Sequence, residues 1–457
     1  MTPILLLAVV LAMPPQDSTR LTVAVAIDRA LATHPSAAVA RAQRDVAAAD
    51  VGQARAAWLP AVSLDGAINR FEEPMVVYPL HSLDLRNPPQ FDRSLSQASL
   101  GAAYTLFDFG ARTSKVRAAE AQRDAATATL GAAEALLVAR TTSAFLRVLT
   151  ARGILAAEDQ RLAALSAEAG RARSRLAAGK AARLDTLRAA AELASAIADR
   201  LTSATHVDIA EHELARLMGV SIDAVRGARL AGVRLSAVAA PPDSPGMAAA
   251  AGATDAPPAP NAPIDRAHGA NADVQAAERR ADAAQAAVGS ARASLFPTVQ
   301  ATSAIIDRSN VTGRYLAEWQ VGVAFSYPLF TGGARPSVIG RAEAGARAAR
   351  EQVRLARFSA EQSVDETQAS LDGAKSRVAA LEAAVLQSAE VARITQLARD
   401  VGEGTQTDYL IAEASLFRAR SSLVQARHAM IAARVELARV LGELSRPWIA
   451  SSLESLP

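Results

Sequence analysis

Chemistry needs nucleophiles, bases or metal ligands at workable spacings, and this 457-residue chain offers few of them. It has no cysteine, hence no disulfide framework, no Cys-based metal site and no acylated N-terminal cysteine. The six histidines, His34, His81, His206, His212, His268 and His428, show no metal-ligand spacing, and no H-E-x-x-H, P-loop or nucleophile elbow occurs. They read as surface or packing residues, and neither an enzyme nor a cofactor is expected. Two carboxylates stand out by position instead. Gly179-Lys180-Ala181-Ala182-Arg183-Leu184-Asp185 and Gly402-Glu403-Gly404-Thr405-Gln406-Thr407-Asp408 occupy equivalent places in otherwise helical patterns. Glycine can close one helix in a left-handed turn and Asp185 or Asp408 can cap the next, so each segment is expected to be the tip of a helical hairpin.

The elements behind those tips begin with strands. In Trp319–Leu329 the odd positions Trp319, Val321, Val323, Phe325, Tyr327 and Leu329 are large and apolar, while Gln320, Gly322, Ala324, Ser326 and Pro328 are small or polar. A period of two over that length predicts a strand with two unlike faces. Gly332 and Gly333 follow, and then a long Ala- and Arg-rich run without proline from Ser337 to Arg446.

The same construction occurs twice. Tyr104 to Arg112 lies over Tyr327 to Arg335 at an offset of 223, which still holds where Glu213-Leu214-Ala215-Arg216 meets Glu436-Leu437-Ala438-Arg439 and Gly219 meets Gly442. Upstream, Val51–Pro60 matches Val288–Pro297 at offset 237, the change being a longer strand-to-strand loop in the first copy. The chain is therefore a tandem duplication, two copies of one elongated unit rather than unrelated domains. Residues 19–220 form the first repeat: a helix, a β-hairpin over 61–107 and a long helical hairpin over 111–218. Residues 265–445 form the second, with a hairpin over 298–330 and a helical hairpin over 335–442. Between them 221–264 is a Pro- and Ala-rich linker, and 446–457 is a short tail.

In the first hairpin, strands are expected at about 61–70 and 96–107 around a proline-bearing loop at 71–93. The return strand puts Ala98, Leu100, Ala102, Tyr104 and Leu106 on one side and Gln97, Ser99, Gly101, Ala103 and Thr105 on the other. The long helices carry alanine seams, Ala118, Ala121, Ala125, Ala128, Ala132, Ala135 and Ala139 in one and Ala342, Ala346, Ala349, Val353, Ala356 and Ala360 in the other. Spacings of three and four with small side chains permit close knobs-into-holes packing. Returning helices are expected at about 186–218 and 409–441, half the length of their partners.

Composition sets the compartment. The net charge of +3 comes from nearly balanced acidic and basic residues, so nucleic acid is not an expected partner. The apolar run from Ile4 to Met13 is too short to span a bilayer and marks 1–18 as a signal peptide. No stretch of roughly 18 apolar residues exists, so a membrane span must be made of strands. Of 18 aromatic residues, 13 lie within 58–110 and 295–330, which suits the interfacial girdles of a membrane barrel.

The paired strand entries (ARAAWLP and ARASLFP), strand exits (YTLFDFGAR and YPLFTGGAR) and tips (AGKAARLDTL and VGEGTQTDYL) together resemble the outer-membrane efflux protein family, the TolC-like exit ducts of Gram-negative bacteria. The resemblance covers about 21–445. It implies an α+β fold in which two β-hairpins per chain contribute to a trimeric 12-stranded transmembrane barrel, continued by an α-helical periplasmic tunnel. An equatorial region would be built from the linker and the chain ends. The expected partners are two further copies of the chain, a periplasmic adaptor, an inner-membrane transporter of RND, ABC or MFS type, and outer-membrane lipid. The resemblance also makes Asp185, Asp408, Gly179 and Gly402 the periplasmic gate, and Lys180, Arg183, Glu403 and Gln406 the adaptor-docking positions. Two positions depart from the family pattern: Ile411 stands where a second gate carboxylate is expected, and Gly404 where a basic gate residue is. A latch between those groups cannot form, and a plain capping role for both Asp residues stays open. The alternative for the whole chain is an exported coiled-coil structural or adhesive rod, which explains the helices but not the two-faced strands.

Overall fold

A computed structural model describes residues 20–76, 86, 91–180, 182–236, 262–309, 315–401 and 403–455. The expected signal peptide at 1–18, most of the loop after the first strand, the middle of the linker and Gly402 lie outside the described residues. The chain opens with α1 (Val23–Thr33) and α2 (Pro35–Ala56), then β1 (Ala61–Val76), β2 (Phe91–Phe107), α3 (Ala111–Ala177) and α4 (Arg183–Met218). After these come α5 (Ile222–Arg226), β3 (Val233–Leu235), α6 (Ala262–Ala270) and α7 (Ala272–Ala293). The second strand pair and helical hairpin are β4 (Thr298–Ser309), β5 (Tyr315–Ser326), α8 (Ala334–Asp400) and α9 (Gln406–Val440), before α10 (Arg446–Ser452) and β6 (Leu453–Ser455).

The strands of the two repeats form one antiparallel sheet in the order β1-β2-β4-β5. Because β2 pairs with β4, the compact units cut across the repeats: one comprises 41–129 and 273–356, the other 1–40, 130–272 and 357–457. Register turns the alternation into rows. Leu64, Leu100, Ile305 and Trp319 stand side by side across all four strands, as do Val62, Ala102, Ser303 and Val321. Their neighbours on the opposite face are Ser63, Gly101, Ala304 and Gln320, then Asp65, Ser99, Ile306 and Glu318. Arg308 donates to Glu318 on that second face at 2.8 Å. The apolar face has no cover among the described residues: Leu64 is 78% exposed, Ile68 84% and Trp319 75%.

Both hairpins differ from the expected limits. β1 continues to Val76 and β2 starts at Phe91, so the loop is shorter than 71–93. Pro74 is tolerated inside β1 because that strand is at the sheet edge and its register breaks between Arg70 and Met75. The last strand lies over Tyr315–Ser326 rather than 319–329, since Pro328 has no N–H to continue the ladder.

The helical unit has its own core. α3 and α8 are 67 residues each, on the order of 100 Å long, against 36 and 35 for α4 and α9. Phe145, Val148, Ile27, Leu214, Val225 and Val435 are fully buried, in a cluster drawn from α1, α3, α4, α5 and α9 that also takes in Val233, Ile449 and Leu453. The start of the linker is thus structured, through α5 and β3, and the tail after 446 is more than a loose end. β3 pairs with β6 antiparallel, Arg234 facing Glu454 with a 2.7 Å ion pair. Arg152 ties α5 down, donating to Glu211 at 2.8 Å and to the carbonyls of Ala228 and Val225 at 2.9 and 2.8 Å. Gly442, at φ 72°, ends α9 against Ala270, whose carbonyl oxygen would lie 2.2 Å from any Cβ there. Only glycine fits that approach.

Candidate functional site

Each tip is assembled by local backbone hydrogen bonding. At the first, Gly179 takes φ 69°, its N–H donates to Leu176 O at 2.9 Å, and Lys180 N–H donates to Arg175 O at 2.8 Å. This left-handed closure satisfies carbonyls at the end of α3 that have no helical partner. The next helix starts at Arg183 with Ala182 as its N-cap and no side-chain cap, which puts Asp185 at its third position. At the second tip the N–H groups of Glu403 and Gly404 both donate to Ala398 O at 2.9 Å. An added Cβ at Gly404 would stand 3.0 Å from Ala398 and Arg399, so a basic side chain there requires the turn to shift. Lys180, Arg183, Glu403 and Asp408 are exposed; Gln406 is the first residue of α9.

The capping expectation for the two carboxylates needs correction. Thr405, not Asp408, is the N-cap of α9: its hydroxyl oxygen accepts from Asp408 N–H at 3.1 Å, and the hydroxyl donates to Asp408 Oδ2 at 2.6 Å. Both helices start earlier than expected, so each Asp falls at the third helical position, and at Asp408 the Thr405 hydroxyl reaches the free N–H. There a carboxylate also meets the positive end of the helix dipole. The signal was legible in Thr405-x-x-Asp408, a capping box with Asp in place of Glu. Arg399 lies 4.3 Å over the Tyr409 ring beside it, and Ile411 is 59% exposed, offering no charge.

Sequence reasoning passed over a cleft in the helical unit. Leu146, Thr150 and Ile154 of α3, His206 and Glu213 of α4, and His428 of α9 line a cavity of about 560 Å³. Thr150 Oγ1 and His428 Nδ1 are hydrogen-bonded, and burial pushes the His428 imidazole below its ordinary range. No spacing in the sequence joins residues 278 positions apart.

With the geometry in place, similarity to known proteins decides the family. The model of the family described as "Outer membrane efflux protein" matches residues 26–220 and 264–443, most of the chain. The chain belongs to the outer membrane efflux protein family. That membership places it in the outer membrane of a Gram-negative cell, in a family of efflux channels. The efflux protein is similar to BepC, an outer membrane efflux protein of Brucella suis, at 26% identity over 321 residues, or 68% of this chain and 64% of BepC. It is similar to the outer membrane protein TolC of Salmonella enteritidis at 24% identity, covering 90% of this chain and 80% of TolC. Among solved structures, a membrane protein from Pseudomonas aeruginosa matches with a TM-score of 0.73 at 25% identity, covering 92% of this chain and 93% of the other. The α+β tandem fold expected from the sequence is the fold of these channels.

Proposed function

We propose that three copies of this efflux protein form an exit duct carrying substrates from a periplasmic adaptor and an inner-membrane pump across the periplasm and outer membrane. The carrying observation is the four-stranded sheet, whose β1 and β5 edges are unpaired among the described residues and whose apolar face is open. In water that combination invites edge pairing and aggregation. In a bilayer it becomes a lipid-facing wall, provided that further copies supply the missing strands. Three copies give twelve strands, an even number within the range of closed membrane barrels. The family resemblance implies a homotrimer working with an adaptor and an inner-membrane pump, and the match to the outer membrane efflux family over most of the chain supports that arrangement here.

In that assembly the polar face with Asp65, Arg308 and Glu318 lines the lumen. The tips at Gly179–Asp185 and Gly402–Asp408 form the periplasmic gate, with Asp185 and Asp408 near the constriction. Lys180, Arg183, Glu403 and Gln406 are the positions offered to the adaptor, which would work with an inner-membrane transporter of RND, ABC or MFS type. The native mass of the particle extracted by detergent from isolated envelopes tests the proposal. Three times the mass of the mature chain, in the outer-membrane fraction, is the expected result. A soluble elongated monomer or dimer would overturn it and restore the coiled-coil rod.

A further inference from the structure

The two strand-to-helix corners are copies of each other, and they differ in charge balance. At the first, Asp108 and Arg112 are both buried. Arg112 Nε donates to Asp108 Oδ2 at 2.9 Å and Nη1 to Ala57 O at 3.4 Å, while the guanidinium lies 4.3 Å over Trp58 and 5.8 Å from Tyr104. The offset of 223 places Arg335 where Arg112 stands, Tyr327 where Tyr104 stands, and Thr331 where Asp108 stands. Arg335 repeats the stacking, 5.2 Å over the Tyr327 ring. Its Nη2 is shut off from water and has no hydrogen-bond partner among the described residues. The second corner has kept the cation and lost the acid.

A guanidinium is always charged, and burying one edge of it unpaired is costly. The carboxylate that serves Arg112 is absent at this corner, and the setting favours one source of a counter-anion for the part of the fork still open. Tyr327 and Leu329, just past the end of β5, continue in sequence the alternation of Trp319, Val321, Val323 and Phe325. Leu329 is 88% exposed and Phe330 89%, with Phe107, Phe109, Phe296 and Trp58 also exposed at the strand ends nearby. Aromatic and apolar residues gathered at the end of a barrel wall mark the head-group level of a membrane. The side chain is only partly buried, leaving part of the fork open toward that level. A planar fork of N–H donors matches carboxylate and phosphate geometry, and phosphate is the anion that phospholipid head groups share at that level.

We infer that Arg335 binds the phosphate of a phospholipid head group at the periplasmic edge of the barrel. The inference rests on the membrane-duct reading. It does not apply to the first corner, where Asp108 already neutralises Arg112.

Native mass spectrometry of the detergent-purified trimer, titrated with dioleoyl phosphatidylglycerol and with phosphate-free dioleoylglycerol, tests it. Wild type is expected to retain one phosphatidylglycerol per subunit more than Thr331→Asp or Arg335→Ala, with affinity lower in the variants by about tenfold or more. Diacylglycerol retention is expected to be equal in all three. Thr331→Asp is the decisive variant, because it rebuilds the ion pair of the first corner and leaves the fold supported. Equal phosphatidylglycerol retention by wild type and Thr331→Asp trimers would overturn the inference. So would dissociation of the Arg335→Ala trimer alongside unchanged retention by Thr331→Asp, which would assign the anion to a neighbouring copy. A wild-type particle that is no membrane-extracted trimer defeats the duct reading instead, before any lipid is counted.

Discussion

His428 shows how one buried side chain couples stability to pH. Desolvation holds its imidazole below the ordinary value of 6.5, so the folded chain keeps it neutral while the unfolded chain takes up a proton first as pH falls. The stability tied to the neutral ring is complete above that value and is lost as pH falls through the lower folded one. Arg147 of α3 and His206 and Glu213 of α4 share the cleft, with Arg147 and Glu213 ion-paired to each other. Lowering the pH from 7 to 5 is expected to reduce the melting temperature of wild type more than that of His428→Gln. Equal slopes in the two proteins would show that His428 is not the titrating group. The histidine and its threonine partner come from different repeats, so neither motif nor spacing announced them.

Alternation is a property of an element, and its energetic consequence depends on the solvent. Gln320 and Val321 are both exposed in the isolated chain, and only a bilayer makes them unequal. Val321→Arg is expected to destabilise the membrane-embedded protein by about 2–4 kcal/mol if it sits near the bilayer midplane, and Gln320→Arg by little, because the latter faces the lumen. Denaturant unfolding in lipid vesicles measures both; the reverse order would turn the barrel inside out. Helix limits were legible to within a few residues wherever punctuation was local. Pro60 and Gly219 stop their elements as expected, whereas the starts of α4 and α9 shifted because Ala182 and Thr405, rather than the Asp residues, hold the caps.

For the whole assembly, gating is the property a symmetric trimer adds. Three copies of Asp408 around one axis would attract cations. Asp408→Ala is expected to weaken the cation preference of single-channel conductance in planar bilayers. Thr405→Ala supplies the control: it removes the cap, at about 1 kcal/mol, while keeping the carboxylate, so its preference should stay that of wild type. A loss of preference in both variants would mean that helix order, not the Asp408 charge, sets selectivity. The lack of charge at Ile411 and Gly404 leaves Asp408 without an ionic latch partner at those two positions, consistent with a turn too tight at Gly404 for a long side chain.

The sequence by itself determined the duplication, the two-faced strands, the alanine seams and the glycine closure of the first tip at Gly179, because each depends on residues a few positions apart or on comparing one copy with the other. Tertiary structure decided what depends on distant partners. It joined the hairpins of the two repeats into one sheet through β2 and β4, and so drew the compact units across the repeat boundary. It gave the start of the linker and the tail a shared fold through β3 and β6, because segments too short to bury their own apolar residues gain a core only by packing against each other and α1. It also left Arg335 without the counter-charge that Arg112 has: the substitution of Thr331 for Asp108 was visible in the sequence, but its electrostatic consequence appears only where the guanidinium is folded against Tyr327 and one edge is sealed from water.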